Sequence, residues 1–325
     1  MDLFSRSNLP WLIPLLAALV VLPPFLLSYY VFLLNLVGIY IIVAIGLNIL
    51  TGYCGQIALG HAGFFAIGAY ATANFHLHLG LPFFLAIPAA GLVTALIGLI
   101  VGIPALRLSG LYLAMATLAF GIVVEEGIIQ LRPLTEGADG MSFPTASLLG
   151  FDFDNDWRKY YLILVATFLL IMVAINLTRT KTGRALIAIR ESELAAETMG
   201  VSLARYKIIA FSVSAFYTGV GGGLYGYLLA FVGPENFDIF VSIQFLTMIV
   251  VGGMGSVLGS VCGAVFITLI PEIFAGWKDW QSFIFGAFMV ICIIYVPEGL
   301  AGLLQRGIQR IRNSRARRKI MLDTT

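Results

Sequence analysis

Charge is what this sequence has least of. Of 325 residues only 11% are Asp, Glu, Lys or Arg, against roughly 25% in an average soluble domain, while 60% are hydrophobic. A soluble fold is excluded. Cysteine is scarce as well: Cys54, Cys262 and Cys292 stand apart, within or beside apolar runs. They lack the spacing of a metal site or a disulfide framework, so packing is their expected role. No metal-ligand set and no nucleophile–base pair is visible, which leaves an intramembrane enzyme without its machinery. Lys181-Thr182 lacks the preceding glycines of a phosphate-binding loop, so the chain is not read as its own ATPase. No feature points to nucleic acid.

What the chain has in abundance is apolar runs long enough to cross a hydrocarbon core of about 30 Å, which takes about 20 helical residues each. The windows predict spans near 11–30, 31–51, 56–74, 82–104, 108–131, 160–178, 206–231 and 281–297. The first begins near Trp11 after Arg6 and is not followed by a small-residue cleavage site, so it reads as a retained span rather than a removed leader. Basic residues gather in two places, Arg179 to Lys207 and Arg306 to Lys319, and both are expected in the cytoplasm by the positive-inside rule. Both termini then lie inside, and the 132–159 loop, with Glu136, Asp139, Asp152, Asp154 and Asp156, lies outside as a solvated connector or a docking surface.

The stretch 241–270 is longer than one span and is interrupted at Gly252, Gly253, Met254, Gly255 and Ser256. Because 206–231 runs outward and 281–297 inward, this stretch begins and ends outside, as a hairpin of two shorter helices does. Non-helical backbone at that depth is tolerated only inside protein or along a wet cavity. A second glycine-rich break runs from Thr51 to Gln56, just before Leu59-Gly60-His61. The likeness of Leu59-Gly60 to Leu258-Gly259 is what duplicated halves with interrupted helices would give, and equally what kinked membrane helices favouring glycine would give. The expected architecture is an all-α polytopic membrane protein of eight full spans plus a re-entrant hairpin, or ten spans. Residues 1–304 form the membrane domain, with the 179–207 loop inside it, and 305–325 form a basic tail.

Gly255, Gly259 and Gly263 repeat every fourth residue, as do Gly219/Gly223 and Gly222/Gly226; such faces let helix backbones approach closely. Polar groups within spans are costly and are functional candidates by default: Asn48, Gln56, His61 and Gln244, with Glu125 and Glu126 nearer an outer mouth. A lone His61 on an apolar helix also fits a hydrogen-bonded packing role. The internal loop is rich in helix formers. Leu186, Ile189 or Arg190, Glu193 and Glu197 fall at helical spacing, and Gly200 suits a left-handed helix end. Such a helix either presents its carboxylates Glu191, Glu193 and Glu197 to a cytoplasmic partner or is a plain solvated loop. An ion-driven carrier is the main rival to a partner-driven one; it lacks a convincing buried carboxylate for coupling.

The run from Gly46 to Tyr70 (GLNILTGYCGQIALGHAGFFAIGAY), the internal loop and Val251-Gly252-Gly253-Met254-Gly255 together resemble the LivM-type permeases of branched-chain amino-acid ABC importers, within the LivH/LivM permease family. The likeness covers about residues 35–300. It implies a permease without a cofactor of its own, working in the bacterial cytoplasmic (inner) membrane. Its implied partners are a second, LivH-like permease, two cytoplasmic ATPases that bind ATP and Mg, and an external solute-binding protein. The implied substrates are leucine, isoleucine and valine, with urea or short amides as the alternative within the same family. The loop is similar to the EAA loop that contacts such ATPases: Ala195, Ala196 and Gly200 have the expected spacing. Leu194 stands where the leading glutamate is usual, and Glu193 lies one residue earlier.

Overall fold

The structure, a computed structural model, describes residues 20–21, 23–143, 147–148, 151–152, 155–273, 286 and 299–302. Among these the chain is helical almost throughout: α1 Ser28–Asn48, α2 His61–Leu77, α3 Phe83–Ala105, α4 Gly110–Gln130, α5 Asp156–Arg179, α6 Lys181–Glu191, α7 Glu193–Thr198, α8 Leu203–Leu229, α9 Ile239–Gly252 and α10 Val257–Ile273. Six stretches among the described residues are long and apolar enough to cross a membrane, namely Ser28–Tyr53, Phe83–Ala105, Gly110–Gln130, Asp156–Arg179, Leu203–Leu229 and Pro234–Gly252. The protein is therefore a multi-pass, all-α membrane protein. The expected span 281–297, apart from residue 286, and the tail 305–325 lie outside the described residues, as do residues 11–19 and 22 of the first expected span.

Two helices form the middle of the bundle. α1 is apolar on all sides, so it has no face to offer water, and its second half from Ile39 to Asn48 is buried throughout. α8 packs on α3, α2 and α1; its glycines let those neighbours come close. The outer helices α3, α4 and α5 expose Leu92, Leu96 and Ile103, Leu111 and Met115, and Val165 and Leu169 respectively, apolar surface suited to lipid.

The short helices α6 and α7 lie at one end of the bundle, called here the loop end. At the other, β1 Met141–Ser142 pairs antiparallel with β2 Phe231–Val232, Met141 opposite Val232, so the segment after α4 and the one after α8 share that end. α9 starts there and α10 returns towards it, with the turn between them reaching the loop end. Fourteen and seventeen residues span about 21 and 25 Å at 1.5 Å per residue, which is the hairpin of short helices the sequence leads one to expect.

Two expectations need correction. The third span starts at His61 rather than residue 56, because Gly55 takes a left-handed φ of 76° and the chain stays non-helical up to Gly60. The internal loop holds two helices instead of one. Ser192, at φ −163° and ψ 114°, breaks the run, and its hydroxyl accepts a hydrogen bond from Ala195 N, capping α7.

Candidate functional site

α1 ends in a π turn, Ile49–Tyr53, a widened turn of the kind that often marks functional positions. Beyond it the backbone closes on itself: Gly55 N donates to Thr51 O at 3.2 Å and Gln56 N to Leu50 O at 3.1 Å, while Thr51 Oγ1 donates to Gln56 O at 3.0 Å. The second break, between α9 and α10, turns on Gly253 (φ 122°) and Gly255 (φ 74°), after which Ser256 Oγ caps α10 by accepting from Gly259 N.

The two breaks meet. Asn48 Nδ2 donates to Ser256 O at 2.8 Å and to Ser260 Oγ at 2.7 Å, and Asn48 Oδ1 accepts from Gly255 N at 2.8 Å. One buried amide thus pairs the Gly255 N–H of the second break and adds a donor to Ser256 O and Ser260 Oγ, which also bond to each other across the first turn of α10. A Cβ on Gly52 would run into both the Asn48 side chain and Gly255 N, so glycine at 52 is required by proximity.

The loop end closes over this junction. Arg190, one residue before the end of α6, donates from Nη1 to Gly52 O at 2.8 Å and pairs through Nη2 with Glu191 Oε1 at 2.7 Å. A cation at the carbonyl end of a helix is favourable, and Gly52 O is such a carbonyl. On the far side of Ser192, Glu193 accepts from Gln56 Nε2 at 3.3 Å and from Lys207 Nζ at 2.7 Å. Lys207 is nearly buried, with 6% of its side chain exposed, and lies near the N-terminus of α8, where the helix dipole opposes it; Glu193 offsets that. Gly200 takes φ 83°. Val201 N donates to Ala196 O and Gly200 N to Glu197 O, the two-bond helix ending that a left-handed glycine allows. α6 buries Ala185, Leu186 and Ile189 and α7 buries Ala196 alone, whereas Leu194 and Met199 are 74% and 84% exposed.

The remaining candidates separate from this cluster. His61, fully buried, opens α2 with Nε2 2.7 Å from Ser214 Oγ on α8, and Ser242 Oγ of α9 accepts from Ala62 N. These contacts tie three helices together. Gln244 is half-buried on α9 and takes no part in the junction. Glu125 is half-buried and Glu126 exposed towards the strand end of α4, where Glu126 accepts from Gln130.

The glycine faces divide too. A Cβ on Gly222 would strike Phe65 O and Ala69 N of α2, and one on Gly223 would strike Thr72; Gly219 sits against Thr94 of α3. Gly226 faces Phe143 of the segment after α4, not another helix. Gly259 and Gly263 lie against the backbone of α9 at Gly252, Gly253 and Met248. Gly255 does not continue their helical face: α10 starts only at Val257, and Gly255 is a turn residue. Arg190, Ser192, Ser256, Ser260 and Lys207 belong to the junction without having stood out as site residues. Only Ser192, a capping residue ahead of a helix-forming run, carried a local signal.

Residues 29–293 match the family described as branched-chain amino acid transport system / permease component. The chain is 36% identical over 313 residues to the high-affinity branched-chain amino acid transport system permease protein LivM of Escherichia coli strain K12, covering 88% of this chain and 74% of that protein. It is also 36% identical over 286 residues to LivM of Salmonella typhimurium, covering 81% and 67%. With the LivH permease of Escherichia coli strain K12 it shares 22% identity over 294 residues, covering 81% and 91%. No solved structure gives a significant match.

Proposed function

This chain belongs to the family of branched-chain amino acid transport permease components, and on that premise we propose that it is the membrane permease subunit of an ABC importer carrying branched-chain amino acids inward. The observation that carries the reading is the identity with LivM permeases along most of the chain. The subunit works in a bacterial cytoplasmic membrane with a second, LivH-like permease, two ATPases that hold ATP and Mg, and an external binding protein that selects the substrate. Residues 1–304 are the permease domain, 305–325 the basic tail, and both termini face the cytoplasm.

The loop end is the cytoplasmic end: it carries Arg179, Lys181, Arg184 and Arg205, as the positive-inside rule asks. α6 and α7 dock the ATPase there, through the exposed Leu194 and Met199 and the carboxylates Glu191, Glu193 and Glu197. Asn48 and Gln56 lie where the pathway closes. Closure of the ATPases shifts the two helices, and the bundle changes which side it opens to.

Reconstitution tests this. The chain is purified with its co-expressed permease and ATPases and sealed into liposomes with ATP inside the ATPase compartment. The expected result is ATP-dependent uptake of labelled leucine that requires the binding protein. Uptake of urea in place of leucine would overturn the substrate, and gradient-driven uptake without any ATPase would overturn the importer.

A further inference from the structure

The bend between α6 and α7 grips the first break at two points. Arg190, two residues before Ser192, holds Gly52 O at 2.8 Å, and Glu193, one residue after it, holds Gln56 Nε2 at 3.3 Å. The same arginine reaches the second break: a Cβ on Gly255 would stand 2.5 Å from Arg190 Nη1, and one on Gly55 3.0 Å from Arg190 Cγ. Both glycines have left-handed φ, so each break turns sharply against this one side chain. Gly52 O itself lies 3.1 Å from that same Cβ position on Gly255, which places the guanidinium at the point where both breaks touch. A charged, planar donor fixes direction as well as distance.

We propose that Arg190 is a positioning residue that locks both helix breaks to the α6–α7 bend, so that the bend, Gly52 and Gly255 move as one body when the ATPases close. This rests on the docking of α6–α7 proposed above. Without the arginine, α6–α7 could shift while the breaks stayed behind, and ATP would be hydrolysed without transport.

The test uses the reconstituted complex. Arg190→Gln should lower substrate moved per ATP hydrolysed by roughly tenfold, the scale of one charge-assisted hydrogen bond, with ATPase activity retained. Arg190→Lys, which keeps the charge but not the fork, should restore part of the ratio. A normal ratio in Arg190→Gln would overturn the proposal. A second measurement does not depend on that variant assembling. In the complex with native cysteines replaced, spin labels at Ile187 on α6 and at Met254, both exposed, should keep one separation with and without trapped ATP. A separation that changes with nucleotide would overturn the common-body motion. The underlying docking fails separately, if a cysteine at Leu194 never crosslinks to an ATPase.

Discussion

Asn48 Oδ1 accepts a hydrogen bond from Gly255 N at 2.8 Å across 207 residues of sequence, and through that bond the end of α1 fixes the turn between α9 and α10. The amide is matched to its surroundings: its two donors face Ser256 O and Ser260 Oγ, its acceptor faces an N–H. Asn48→Ala would leave the Gly255 N–H without its partner and remove one donor each from Ser256 O and Ser260 Oγ, which keep their bonds within α10, and should cost about 1–3 kcal/mol. Asn48→Asp keeps the size but turns a carboxylate oxygen towards Ser256 O, so it should be no better than alanine. Thermal unfolding of the purified permease measures both. An aspartate variant as stable as wild type would mean that the amide donors are not engaged.

Gly222 and Gly127 make an internal comparison. A methyl on Gly222 would meet the α2 backbone at Phe65 and Ala69, whereas one on Gly127 meets nothing within 4 Å. Gly222→Ala should destabilise by about 1–3 kcal/mol through overpacking. Gly127→Ala should be neutral or stabilising by up to about 1 kcal/mol, from helix propensity alone. Thermal midpoints of the two variants should therefore move apart; equal midpoints would place the α8–α2 crossing further apart than it is here.

Most of the bundle was legible because apolar length and glycine breaks are local signals. The spans at 82–104, 108–131, 160–178 and 206–231 correspond to α3, α4, α5 and α8, and the hairpin to α9 and α10. What was not legible is what distant segments do to one another. Asn48 read as a costly polar group in a span, with no sign that its partners lie at 255, 256 and 260. Lys207 read as one of several loop charges, though it is buried against Glu193. The four-residue rhythm of Gly255, Gly259 and Gly263 misled at its first member, because periodicity cannot tell a helical glycine from a left-handed one just outside the helix.

The Glu193–Lys207 pair is asymmetric, and its variants should be too. Lys207 has 6% of its side chain exposed and Glu193 43%. Removing the glutamate strands a buried ammonium, so Glu193→Ala should cost about 2–3 kcal/mol after allowance for solvent screening. Lys207→Met replaces the charge with an apolar chain of similar length and leaves Glu193 access to water and to Gln56, so it should cost about 1 kcal/mol or less. The double variant should be no less stable than Lys207→Met with Glu193 intact, which a double-mutant cycle of unfolding midpoints checks.

Gly200 separates backbone strain from packing with little ambiguity. Its φ is 83°, and a Cβ there would meet nothing within 4 Å, so any cost of substitution comes from the conformation alone. α7 is only six residues long, and the bonds from Val201 N to Ala196 O and from Gly200 N to Glu197 O exist only while residue 200 stays left-handed. Asparagine tolerates that region, alanine is disfavoured by roughly 1–2 kcal/mol, and a β-branched residue is disfavoured further. Gly200→Asn should thus behave nearly as wild type, Gly200→Ala should be intermediate, and Gly200→Val should unwind the end of α7 and displace the exposed Met199. Because residue 200 lies outside the bundle, all three variants should be extracted as intact permease. The ratio of substrate transported to ATP hydrolysed should fall in the order Asn, Ala, Val, by about tenfold for valine if the full strain of about 1.4 kcal/mol or more is felt at the proposed docking surface. Equal ratios for asparagine and valine would show that the end of α7 does not touch the ATPase.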